Sequence, residues 1–230
     1  MLLPILLLGF VLGMRHATDP DHVVAVTSIV SRERSLRSAA PIGAAWGVGH
    51  TVTITLVGGL IILGGLVIPP RLGLGMEFAV ALMLIALGAY NLRAGRPAHT
   101  HKHEDAADSI VRRLPLSPTL RRYARPLLVG LVHGLAGSAA VALLVLGAIR
   151  DPGWAVGYLL IFGLGTVFGM FLITSAIAIP VAYTAGRFER LHHALGFGAA
   201  LLSVGFGLFL VYDISVVHGL FSATPNWAPR

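Results

Sequence analysis

The stretch Arg15-His16-Ala17-Thr18-Asp19-Pro20-Asp21-His22 gathers two imidazoles, two carboxylates and a guanidinium inside an apolar run from Leu2 to Val30. An ionisable group at membrane depth costs on the order of +2.5–3.5 kcal/mol even on insertion scales. A run that crosses a bilayer and keeps such a cluster has a use for it. One continuous helix over 2–30 would be ~43 Å long at ~1.5 Å per residue, against a hydrocarbon core of ~30 Å. Pro20 cannot donate to the His16 carbonyl, which predicts a break at that point. Irregular backbone at this depth is tolerated where it lines a polar cavity. The stretch therefore predicts an interrupted membrane helix whose break carries a polar site.

The remaining sequence is built to surround such a helix. Of 230 residues, 56% are hydrophobic and only 12% charged, about half the ~25% of a soluble domain. Six apolar segments stand out, at 2–30, 39–68, 75–92, 126–149, 153–183 and 195–221, each reaching the ~17–25 residues that span a bilayer. The expected fold is an all-α integral membrane protein with six transmembrane helices. The apolar N-terminus has no basic flank and no small-residue cleavage site, so it is read as retained rather than as a signal peptide. Cysteine is absent, which excludes disulfides, thiolate metal ligation and thiol redox chemistry.

The basic excess, 17 Lys and Arg against 10 Asp and Glu, would suggest nucleic acid in a soluble protein. In a membrane chain it reads as topogenic charge, with the lipid bilayer as partner and no nucleic acid. Thirteen Lys and Arg fall in the loops after segments one, three and five, against three on the opposite side. The positive-inside rule then puts both termini outside the cell (inner) membrane and the loop 93–125 in the cytoplasm.

Two halves share a pattern. Gly13-x-x-His16 recurs as Gly130-x-x-His133, Gly47-Val48-Gly49 as Gly163-Leu164-Gly165, and Gly88 pairs more loosely with Gly207, at offsets of 116 to 119 residues. Three segments per half would make the repeats inverted, an arrangement found in secondary transporters. The expected units are 1–93, a His-containing cytoplasmic loop 94–125, and 126–230. Within that loop, His99, His101 and His103 form either a chelating tract or a solvated linker; the sequence supports both readings equally.

On a regular helix His16, Asp19 and His22 share one ~120° arc, while Asp21 points elsewhere unless a break brings it round. Such a break would also free the His16 carbonyl. Arg15 can neutralise one aspartate in a purely structural network, yet two carboxylates and two imidazoles outnumber it. A divalent transition metal satisfies that set. His50, in Trp46-Gly47-Val48-Gly49-His50-Thr51, adds a third imidazole. The candidate metal set is His16, Asp19, Asp21, His22 and His50, with Arg15, Thr51 and His133 as supporting or pathway residues. Glu77, Asp213, His192 and His193 read as solvated positions near the membrane surface. No H-E-x-x-H, nucleotide-binding motif or nucleophile–base pair around Ser138 is present, so neither an enzyme nor a prosthetic group is expected. Two alternatives stay open: a metal-dependent intramembrane enzyme, and a solute exporter using the cluster as a proton relay.

The same residues resemble a known family. Arg15-His16-Ala17-x-Asp19-x-Asp21-His22 is similar to the H-x4-D-H signature of the nickel/cobalt transporters, with His16, Asp21 and His22 on its defining positions. Gly49-His50-Thr51 resembles that family's second histidine motif. The compact form and His133-Gly134-Leu135-Ala136-Gly137-Ser138 are more similar to its short urease-accessory-type branch. The resemblance implies Ni²⁺ or Co²⁺ as transported substrate, recognised by these residues, and a metallochaperone or urease-maturation client as partner. The chain departs from longer members: the motif helix comes first, and Leu164-Gly165-Thr166-Val167-Phe168-Gly169 lacks the carboxylate of their acidic threonine-rich motif. Uptake is the expected direction and efflux the alternative.

Overall fold

The computed structural model describes residues 2–31, 33, 35–66, 68–94, 117–149 and 151–227. His99, His101 and His103, with most of the expected cytoplasmic loop, lie outside these residues. Among the described residues the chain is all helical, with no strand: α1 (Leu2–His16), α2 (Pro20–Val30), α3 (Leu36–Gly64), α4 (Pro70–Ala94), α5 (Pro118–Ala148), α6 (Pro152–Ala185) and α7 (Glu189–Tyr212), closed by a π-helical turn, Asp213–Val217. Seven α-helices therefore stand where six segments were expected, because the first segment is two short helices.

Its break has a local cause. The last turn of α1 tightens, with Thr18 N–H donating to the Arg15 carbonyl and Asp19 N–H to that of His16 at 3.1 Å. Asp19 then takes φ −59° and ψ 144°, the extended conformation forced on a residue before proline. Pro20 opens α2 at the first position, where its missing N–H costs nothing. The expected free carbonyl of His16 is thus engaged by Asp19. Other boundaries follow ordinary capping. Ser35 and Asp151 accept from Ser38 and Trp154 N–H at the starts of α3 and α6, and Gly65 ends α3 at φ 59°, where a Cβ would be strained.

Among the described residues four helices, α3, α4, α6 and α7 (the last extended through Val217), are long and apolar enough to cross a membrane, and α1 and α2 are shorter apolar helices. The bundle is polar within and apolar without. Leu60, Leu63, Leu164, Phe168, Leu201 and Leu208 point outward, whereas His22, His50 and His133 are among the largest fully buried side chains. Water would penalise that arrangement, and hydrocarbon favours it. The chain is a multi-pass membrane protein.

Helices pair through glycine and polar glue, as expected where lipid removes the hydrophobic drive between them. The chief pairs are α3 with α5 and α6, α1 with α6, and α4 with α7. Gly13 presses on the Phe162 carbonyl, and Gly130 presses on the Trp46 carbonyl. Gly165 meets the Phe10 carbonyl, and Gly49 meets that of Leu127. Gly88 faces Ala200 and Val204, and Gly207 faces Ala81 and Ile85. Every partner recurs 116 to 119 residues away. Hydroxyls and amides add ties across helices: Thr53 Oγ1 to the Leu131 carbonyl, Thr51 Oγ1 to that of Gly163, and Asn91 Nδ2 to that of Ser28.

Candidate metal centre

The break between α1 and α2 puts His16 at the end of one helix and His22 in the first turn of the next. His50 reaches them from α3. His133 arrives from α5 because Gly130 and Gly134 allow that helix to lie directly on Trp46 and His50. Three imidazoles converge around that of His22. Its ring centroid lies 4.3 Å from that of His133, 4.7 Å from His16 and 4.9 Å from His50. His22, His50 and His133 are buried, and His16 is nearly so.

The carboxylates hold the rings. Asp19 Oδ2 lies 2.7 Å from His16 Nδ1, and this ring occupies the carboxylate that would otherwise cap α2. Asp21 Oδ1 lies 3.0 Å from His22 Nδ1, and its other oxygen lies 2.9 Å from His133 Nε2. A carboxylate only accepts, so in the neutral rings Nδ1 of His16 and His22 carries the proton and Nε2 carries the lone pair. This is how carboxylates orient metal-binding histidines. His22 Nε2 and Nδ1 of His50 and His133 are buried without a partner among the described residues. His16 Nε2 and His50 Nε2 are 3.0 Å apart. Ligand atoms of His16, His22 and His50 all fall within 4.8 Å of one another, and so do those of Asp21, His22 and His133.

A cavity of about 490 Å³ opens on this cluster. Its polar wall is the six His and Asp residues together with Glu77, and Phe206, Phe209 and Leu210 form much of the apolar wall. The structure therefore brings together His16, Asp19, Asp21, His22 and His50, and adds His133. It does not bring Arg15 or Thr51 to the cavity. Each is one residue from a histidine, ~100° round its helix. Arg15 is exposed and forms no ion pair among the described residues, and Thr51 serves the α3–α6 contact.

Several surface readings change. Glu77 lines the cavity and accepts from Trp227 Nε1 at 2.9 Å. His192, expected in solvent, is buried, while His193 is exposed beside Glu189. Asp213 is largely buried and lies 3.5 Å from His218. Trp46 was missed as a site residue. It stacks on His22 at 5.9 Å and meets His133 edge-on at 5.5 Å. Its spacing of four from His50 was the available signal, because i and i+4 share a helix face.

A helical membrane bundle with a buried imidazole–carboxylate cluster on a broken helix is the class these features define, and comparison with known proteins places it further. Residues 22–209 match the family described as the cytochrome c biogenesis protein transmembrane region, and the chain belongs to that family. It is 36% identical over 226 residues to the urease accessory protein UreH of Bacillus sp. (strain TB-90), covering 96% of each chain. It belongs with that protein among the UreH-like members, as the nickel/cobalt transporter resemblance implied. Two Arabidopsis thaliana relatives, chloroplast proteins FOR GROWTH AND FERTILITY 1 and 2, are 27% and 25% identical over 88% of this chain, which spans 57% and 55% of their lengths. No solved structure matches. The family and UreH are a membrane biogenesis group and an accessory protein rather than enzymes, and this chain is not an enzyme. With no cysteine, thiol exchange is closed to it.

Proposed function

We propose that this chain carries a divalent transition-metal cation, Ni²⁺ or Co²⁺, into the cell through the His16–His22–His50 cluster. The observation that carries the reading is a set of buried imidazole nitrogens, their partners fixed by Asp19 and Asp21, converging on a cavity. Two nitrogens each ~2.1 Å from one ion and at right angles to each other lie ~3 Å apart, which fits the 3.0 Å between His16 and His50. Imidazole ligation suits nickel and cobalt, whereas magnesium and calcium prefer oxygen. Asp19 and Asp21 act as orienting partners, supply negative charge, and remain available as ligands. The relation to a urease accessory protein supports nickel over cobalt and a urease-maturation client.

The transport architecture we infer is six membrane segments arranged as two inverted repeats, with α1 and α2 together forming the first. The glycine contacts at constant offset support this reading, since Gly13 on Phe162 and Gly130 on Trp46 are one contact seen in each half. Orientation follows from loop charge: termini outside, the 93–125 loop in the cytoplasm and a place in the inner membrane. No nucleotide-binding motif is present, so an ion gradient, the membrane potential or a partner protein drives the step.

The test is the nickel and cobalt content of cells at trace external metal, comparing wild type, His22→Ala and empty vector at matched expression. Metal raised by wild type and lost in His22→Ala supports uptake through this cluster. Metal lowered by wild type assigns efflux to the same site. Equal content in all three rejects nickel and cobalt as cargo.

A further inference from the structure

The imidazoles and carboxylates divide in a particular way. The His16–His22–His50 group comes wholly from the first half of the chain. The Asp21–His22–His133 group draws its third member from α5, in the second half. His22 belongs to both. Resting on the transport reading above, we propose that Asp21, His22 and His133 form a second station for the same divalent cation, and that His22 hands the ion from the first station to the second.

Three observations carry this. His22 is the geometric centre: its centroid is within 4.9 Å of the other three rings, whereas His50 and His133 are 5.8 Å apart. His133 is 1% exposed, and ligand atoms of Asp21, His22 and His133 all lie within 4.8 Å of one another. Asp21 bridges His22 and His133 through its two oxygens, 3.0 and 2.9 Å away, so it already joins the two second-station rings.

The proton accounting permits the transfer. With the ion at the first station, His22 offers its Nε2 lone pair and keeps the Nδ1 proton on Asp21. At the second, His22 offers Nδ1 and carries its proton on Nε2, while His133 offers Nε2 and carries its proton on Nδ1; water in the cavity that both residues line relays each proton from one ring nitrogen to the other. Both rings stay neutral and no net proton is taken up. A neutral imidazole has one lone pair, so His22 serves one station at a time and the chain holds one cation.

The experiment uses the full chain purified in detergent for Ni²⁺ titration calorimetry, and the same protein in liposomes for Ni²⁺ influx. Wild type should bind one equivalent. His133→Gln keeps an N–H to donate to Asp21 but removes the ligating nitrogen. It should bind one equivalent within about threefold of wild type and lose at least ~10-fold in influx, the lower end of the usual range for a supporting metal-site residue. His133→Asp, which restores a ligand atom, should recover part of the influx. Thermal unfolding of each variant confirms that it is folded. Two equivalents in wild type, or unimpaired influx in folded His133→Gln, would overturn the shared-station proposal while leaving metal transport standing. A wild type that binds no nickel would reject both readings.

Discussion

Asp21 Oδ2 and His133 Nε2 stand 2.9 Å apart although 112 positions separate them in the chain. The carboxylate that follows Pro20 thus holds an imidazole from the far half of the molecule, and with its other oxygen it holds His22. Asp19 holds a single ring, His16.

This difference orders two variants. Side-chain exposure is 31% for Asp21 and 47% for Asp19, so water replaces the lost carboxylate more readily at Asp19. Asp21→Asn is expected to lower nickel accumulation by ~10–100-fold, the usual cost of removing an orienting partner of a metal-binding histidine. Asp19→Asn should cost several-fold less. Accumulation per unit of membrane protein checks the order, and Asp19→Asn as the more damaging variant would contradict the geometry.

A second prediction concerns packing. A Cβ at Gly130 would run into the Trp46 carbonyl and ring, which are rigid backbone and a buried indole. Gly130→Val should force α5 off α3, cost about 1–3 kcal/mol or more as overpacking does, and carry His133 away from the cluster. At Gly157 an added Cβ meets nothing within 4 Å, so Gly157→Ala should be neutral or stabilising by ~0.5–1 kcal/mol, because alanine suits a helix interior better. Thermal unfolding in detergent distinguishes them, and equal behaviour would mean that the close approach of α3 and α5 contributes little.

Much of this was legible in the sequence, for physical reasons. Pro20 inside a run too long for the bilayer announced the break, and the rarity of charge in hydrocarbon made His16, Asp19, Asp21 and His22 conspicuous. The recurring glycines pointed to repeated contacts. What the sequence did not disclose was third-dimensional. His133 reads as the repeat counterpart of His16, and its contacts with Asp21 and His22 appear only once α5 lies on α3. Trp46 reads as one more apolar residue until it stacks on His22. Glu77 reads as an interfacial carboxylate until Trp227, 150 positions away, reaches it. In each case the partner is remote in the chain, and helical periodicity gives only a face and no neighbour.

Competition among metals follows from the donor set. Imidazole nitrogen binds divalent ions in the order in which copper exceeds nickel and cobalt, with zinc comparable. Cu²⁺ and Zn²⁺ at concentrations similar to nickel should therefore inhibit binding to the purified protein. Mg²⁺ and Ca²⁺, which seek oxygen cages, should not inhibit it even in ~1,000-fold excess. Inhibition by magnesium would indicate that Asp19 and Asp21, rather than the histidines, dominate the site.

Protons should compete as well. Only an imidazole nitrogen with a free lone pair can bind the ion, so any proton on that atom must leave as the ion binds. Calorimetry at one pH in buffers of different ionisation enthalpy would read the protons released per ion bound.

Topology offers the most direct test of the inverted repeat, because the native chain contains no cysteine and single cysteines can be placed without background. Leu36 opens α3, and Gly153, 117 residues later, lies in the first turn of α6. If the halves are inverted, these corresponding positions face opposite sides of the membrane; parallel repeats would put them on the same side. Loop charge adds the sign: Leu36→Cys and Gly186→Cys should be cytoplasmic, and Leu66→Cys and Gly153→Cys external. All four positions are exposed, and an added Cβ at Gly186 meets nothing within 4 Å. A membrane-impermeant maleimide applied to intact cells should label Leu66→Cys and Gly153→Cys alone, and the other pair only after lysis. The reverse pattern would keep the inverted repeat and overturn the orientation. Labelling of Leu36→Cys and Gly153→Cys together would reject the inversion itself, and with it the idea that the Gly13–Phe162 and Gly130–Trp46 contacts are related by a two-fold axis in the membrane plane.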